Sequence, residues 1–207
     1  MIFVIIPQTP PTQKALRKIM RANGPGQSSL LLLDVVDILN KSHISYAVIG
    51  ALAASFYGTI RASMDADVLI FLKKAEKGTQ NLLNELVRAG FLATQRQGDA
   101  DDPVVGVINI QDNYNNRVDL LLGIRRMPED IFSRTINSPF LGSQIRIVGL
   151  EDFVAMKIFA GGPQDTEDVK NVLEVSAEKI NVTLLRKLTL NYGKVELKKL
   201  ETLMKGV

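Results

Sequence analysis

The run Met64-Asp65-Ala66-Asp67-Val68-Leu69-Ile70-Phe71 decides how this chain is read. Its second half is apolar, β-branched and aromatic, the composition of a buried strand. Side chains on a strand alternate faces, so Asp65 and Asp67 project from one face at the start of that strand. Two carboxylates held so close repel unless something positive lies between them. A hard divalent cation, Mg2+ or Mn2+, relieves the repulsion with oxygen ligands. The competing reading leaves one or both acids in water at the strand end.

The residues upstream favour the first reading. Tyr46-Ala47-Val48-Ile49-Gly50-Ala51 is a short apolar strand ending at a glycine. Leu52-Ala53-Ala54-Ser55-Phe56-Tyr57-Gly58 suits a short helix stopped by Gly58. Arg61 and Ser63 then precede the two aspartates. A strand, a glycine turn and a helix start present free backbone N–H groups, which suit phosphate oxygens. The layout suits a nucleoside triphosphate bound with its metal.

Residues Gly50-Ala51, Tyr57-Gly58, Arg61, Ser63, Asp65 and Asp67 together resemble the signature of the nucleotidyltransferase superfamily. Within it they are similar to the AbiEii-type toxin nucleotidyltransferases. That resemblance implies a nucleotide-binding turn at Gly50 and Ala51, with Arg61 and Ser63 beside the triphosphate. It also implies a third carboxylate on a later strand. Asn116-Arg117-Val118-Asp119-Leu120-Leu121-Leu122 supplies one in Asp119, an acid costly to bury as a lone charge. The alternative for Asp119 is a strand-end acid paired with Arg117 on the same face. Where relatives carry Gly-Gly or Gly-Ser, this chain has Gly50-Ala51.

A further segment, Leu150 to Ala160, reads as a helix with acids in its first turn. Lys157 shares a face with Phe153 and Val154, either as a phosphate ligand or as a lysine whose stem covers that face. Lys157, Asp165 and Asp168 match part of a Lys … Arg-x-Lys-Asp-x-x-Asp pattern of the AbiEii-like group, although Pro163-Gln164 stand where its basic pair would. The resemblance gives Asp168 a place in the nucleotide site. The bland reading makes Asp165 an N-cap and Asp168 its capping-box partner.

Composition excludes several alternatives. The 207 residues are 46% hydrophobic and 23% charged, the range of globular proteins. With no cysteine, disulfides and thiolate metal sites are excluded. The single histidine, His43, reads as a loop residue, and no nucleophile-elbow sequence accompanies it. Residues 1–7 are apolar but lack a basic flank and a cleavage site, and no stretch reaches the length of a membrane span. The expectation is a cytoplasmic protein that makes no use of a membrane. A net charge of +3 is compatible with nucleic acid without demanding it.

Periodicity predicts helices over 12–22, 28–41 and 73–89, and strands over 91–94, 104–110, 117–122 and 145–148. The strands at 104–110 and 117–122 form an antiparallel hairpin. From residue 150 the pattern is helical to the end. The fold class is α/β (α+β): a nucleotidyltransferase-like mixed sheet flanked by helices over 1–148, then a helical subdomain over 149–207. The expected activity moves a nucleoside monophosphate from a nucleoside triphosphate to an RNA (perhaps tRNA) or protein hydroxyl. It would use Mg2+ or Mn2+ held by Asp65, Asp67 and Asp119, and the toxin-like kinship would bring an antitoxin partner. The rival is a module of the same fold that binds nucleotide or partner without catalysis.

Overall fold

The computed structural model describes residues 12–22, 24, 26–59, 63–72 and 75–205. The elements run α1 (Gln13–Arg21), α2 (Ser28–Lys41), β1 (Ser45–Val48), α3 (Gly50–Phe56), β2 (Asp65–Phe71), α4 (Ala75–Arg88), β3 (Leu92–Gln97), β4 (Gly106–Gln111) and β5 (Arg117–Leu121). After a 3-10 turn come β6 (Ile136–Phe140), β7 (Ser143–Ile147), α5 (Leu150–Ala160), α6 (Pro163–Val175), α7 (Val182–Tyr192) and α8 (Lys194–Met204). The mixed α/β architecture read from the sequence is the one observed.

The strands form one seven-stranded sheet in the order β3-β4-β5-β2-β1-β7-β6. β2 is parallel to β5 and β1 is parallel to β7, while the other neighbours are antiparallel. The β4–β5 connection is the expected hairpin. Its turn is fixed by the Asp112 carboxylate, which accepts from the backbone N–H groups of Tyr114 and Asn116 at 2.9 and 3.0 Å. Asn115 takes the left-handed conformation that asparagine tolerates.

Alternation across the sheet separates two faces. Ala66, Val118 and Ile110 form one cross-strand row, and Val68, Leu120 and Ile108 another, all buried. α2 covers this face with Leu32, Val35, Val36 and Leu39, which are buried, and each such side chain contributes about 1.5–3 kcal/mol by leaving water. The opposite face carries Asp65 and Asp67, then Leu69. α5 covers its further part, and one hydrophobic cluster runs from the sheet into α5, α6 and α7.

α1 is attached in an unusual way. Its apolar residues Leu16, Ile19 and Met20 are exposed, whereas Arg17 and Arg21 are buried. Both arginines pair with Asp34 of α2. Arg17 also reaches Asp37, and Arg21 reaches Asp112 in the hairpin turn. The guanidinium of Arg21 lies 5.7 Å from the ring centre of Phe91. Charge rather than apolar burial thus holds this basic helix to the body. Removing one partner from such a set costs about 3–5 kcal/mol, because the others stay buried.

Two readings need revision. β6 had no sequence signal: Pro139 and the polar pair Asn137-Ser138 hide it, and it survives as an edge strand, where proline is tolerated. β3 extends three residues beyond the expected 94, because Gln95, Arg96 and Gln97 pair with Ile108, Val107 and Gly106 although their side chains are polar.

Candidate active site

The site forms where α3, β2 and β5 begin or end and α5 packs over them. Parallel pairing of β2 with β5 puts Asp67 directly beside Asp119, and Asp65 beside Arg117. Neighbouring strands lie about 4.8 Å apart, so the Asp67 and Asp119 side chains stand shoulder to shoulder on the same face. Both are partly exposed. The Arg117–Asp119 pair considered from sequence is replaced by another contact: Asp119 accepts from the Asn109 side-chain amide at 2.9 Å. Ser63 donates to Asp65 at 2.6 Å, so its hydroxyl serves a carboxylate here. Arg61 lies outside the described residues.

Gly50 opens α3 with φ +63°. A Cβ on it would sit 2.0 Å from Asp67 Oδ2, so a glycine is required for the turn to pass the carboxylate. The Ile49 N–H donates to the Asp67 carbonyl at 2.9 Å and locks turn and strand together. Ala51, next along, is buried.

α5 supplies Lys157. Its ammonium binds Asp165 at 2.7 Å and Asp168 at 2.9 Å and lies 5.8 Å from the Phe153 ring centre. Asp165 is not the N-cap. The helix starts earlier, at Pro163, because proline suits the first helical position, and Asp165 falls third and accepts from the Gly162 N–H at 3.2 Å. The capping-box residue is Asp165 rather than Asp168, which is wholly buried, accepts from the Gln164 side chain at 3.3 Å and joins Lys157 in tying α6 to α5. Behind this layer Tyr57 donates from its hydroxyl to the Val148 carbonyl. Burial, followed by the charges of Glu151 and Asp152, pushes its pKa up, so that hydroxyl is a donor at any working pH.

A cavity of about 180 Å³ lies between the sheet and α5, lined by Gly50, Asp67, Leu121, Met156, Lys157 and Asp165 among others. The structure therefore gathers Gly50, Asp67, Lys157 and Asp165 around one space, with Asp119 beside Asp67. The donor chemistry fits a hard cation: carboxylate oxygens from adjacent strands, partly open to solvent. Among the described residues, no three acidic or histidine side chains form a ready-made metal cluster. Asn109 was missed from sequence, though its signal was there: asparagine is depleted in strands, and it interrupts Val107-Ile108-Asn109-Ile110.

The structure thus combines a mixed sheet, a glycine turn against a strand-borne aspartate, and a second aspartate on the parallel neighbour. Residues 31–204 match the model of a family described as nucleotidyltransferases of unknown function, and the chain belongs to that family. It is thus an enzyme of the nucleotidyltransferase class. No curated protein sequence matches it significantly. Among solved structures, the solution structure of the antibiotic-resistance factor ANT(2'')-Ia is similar, with a TM-score of 0.54 and 11% identity over 86% of this chain and 97% of that one. The crystal structure of ANT(2'')-Ia with adenylyl-2''-tobramycin gives a TM-score of 0.53 and 12% identity over 79% of this chain and 95% of that one. At such identity the likeness concerns the fold. No described helix is long and apolar enough to cross a membrane.

Proposed function

We propose that the protein transfers a nucleoside monophosphate from a metal-bound nucleoside triphosphate to a hydroxyl of an acceptor, with RNA the acceptor that the toxin-like motif favours. The observation that carries this reading is the side-by-side placement of Asp67 and Asp119, with the Gly50 turn pressed against Asp67. Asp65, Asp67 and Asp119 would hold Mg2+ or Mn2+. When bound, the metal neutralises the triphosphate and lowers the pKa of the acceptor hydroxyl.

The protein's own residues do the rest. Backbone at Gly50-Ala51 approaches the phosphates where no side chain intervenes. Lys157, largely buried on the cavity wall, brings positive charge to them, while Asp168 and Asp165 hold its ammonium in place. Arg61, from the motif, adds a second cation, and Ser63 steers Asp65. The apolar wall formed by Leu121, Phe153 and Met156 offers the nucleobase a dry surface. A catalytically silent binding module is the competing proposal, motivated by Ala51 and by Pro163-Gln164 in place of a basic pair.

The test is direct. Wild-type protein is incubated with Mg2+, total RNA and each α-labelled nucleoside triphosphate in turn. Label should enter RNA in the wild type and in Asp99→Ala, a substitution in an exposed loop. It should vanish in Asp67→Asn and Asp119→Ala. Transfer at the normal rate by Asp119→Ala would overturn the assignment, and a wild type that binds triphosphate yet labels nothing would favour the silent module.

A further inference from the structure

We infer that Asn109 is a positioning residue that sets the Asp119 carboxylate for metal binding; this rests on the metal role proposed for Asp119. Asp67, Asp119 and Asn109 form one cross-strand row over β2, β5 and β4, because Asp119 is the register partner of both others. The flanking rows on the opposite face are all aliphatic and buried. Asn109 is exposed, so nothing in the packing asks for an amide there.

Its amide nitrogen donates to Asp119 Oδ1 at 2.9 Å. Asp119 therefore has a like-charged neighbour on one side and a fixed donor on the other. The donor draws one oxygen toward β4. That contact would leave the other oxygen for the Asp67 side, where a shared cation would sit. Carboxylates that ligate metals are commonly held by such outer hydrogen bonds, and losing one costs about 10- to 100-fold in metal affinity. The asparagine has the right length because the two Cα atoms are directly opposed, so a short arm bridges the interstrand gap. A strand residue without a donor would leave Asp119 free to rotate away from Asp67.

The experiment titrates Mn2+ alone into the protein and reads the free-ion signal by electron paramagnetic resonance, which requires no turnover. Asn109→Leu keeps the size and removes the donor; Asn109→Ala serves as a second variant. Each should weaken Mn2+ binding about 10-fold or more, with melting temperature nearly unchanged because the position is exposed. In an Asp119→Asn background, adding Asn109→Leu should bring no further loss, since an effect transmitted through Asp119 disappears with it. Unchanged Mn2+ affinity in Asn109→Leu would overturn the inference, as would equal losses in both backgrounds. If Asp119→Asn itself binds Mn2+ like the wild type, the metal role of Asp119 fails first, and that result is distinct from the other two.

Discussion

Replacing Gly50 by alanine is the sharpest perturbation the site offers. The added Cβ would lie 2.0 Å from Asp67 Oδ2, 2.9 Å from its Cγ and 3.0 Å from its Cβ. Two penalties follow. Holding an alanine at φ +63° costs about 1–2 kcal/mol. Displacing the Asp67 side chain from its rotamer adds about 0.5–1.5 kcal/mol. A combined loss of about 1.5–3.5 kcal/mol lowers the melting temperature of a chain this size by about 3–14 °C. The carboxylate must also move by an ångström or so, which by itself costs about 100-fold in rate when geometry is critical.

A double variant separates the two penalties. In Gly50→Ala/Asp67→Ala the clashing carboxylate is gone, and the backbone strain persists with only the 3.0 Å approach to the Cβ at position 67. The glycine substitution should therefore destabilise an Asp67→Ala protein by about 1 kcal/mol less than it destabilises the wild type. Urea denaturation of the four proteins measures this. Strictly additive losses would refute the claim that Gly50 is dictated by the Asp67 carboxylate, and a Gly50→Ala protein with normal transfer would refute its relevance to the site.

Two other outcomes are expected. Lys157→Met should destabilise the fold by about 3–5 kcal/mol, because Asp168 is wholly buried and loses its lysine; adding Asp168→Asn should recover part of this, and a loss under about 1 kcal/mol by urea denaturation would mean that the lysine is not structural. The exposed Arg186–Glu201 pair should respond to pH: the guanidinium hydrogen bond holds the Glu201 carboxyl below the usual glutamate range, so its small stabilisation is present at neutral pH and fades as pH falls through that lowered midpoint. An NMR titration should show the Glu201 midpoint return to the ordinary value in Arg186→Gln, and an unmoved midpoint would exclude the pair as the cause.

The sequence shows best what short-range rules govern. α2 begins and ends where its apolar periodicity does, and the strand alternation that put Asp65 and Asp67 on one face is local geometry. The partner of each strand is not local. Nothing in residues 45–48 announces β7 as a neighbour, and the row joining Asp67, Asp119 and Asn109 exists only once two registers are set. Asn109 went unnoticed in an apolar strand because its reason lies ten residues away. The orientation of α1 escaped for a related cause: apolar periodicity predicts which face is buried only when burial is apolar, and here Asp34 and Asp112 draw the arginine face inward. Gly50 was visible as a turn residue, but the carboxylate that forbids a side chain there became evident in three dimensions.

The parallel pairing of β1 with β7 also sets an order of events. The Val48 carbonyl accepts from the Val148 N–H at 3.0 Å, so two segments roughly a hundred residues apart must meet before the centre of the sheet is closed. At about 5–20 residues per second on a ribosome, β7 leaves many seconds after β1 and β2. Through that interval the chain carries its glycine turn, Asp65 and Asp67, joined later by Asp119, beside an unfilled strand position, and α5 with Lys157 has yet to be made. Contacts of such long sequence separation are also the slow ones in folding. The strand-borne aspartates and the lysine that faces them across the site are thus separated in time as well as in sequence.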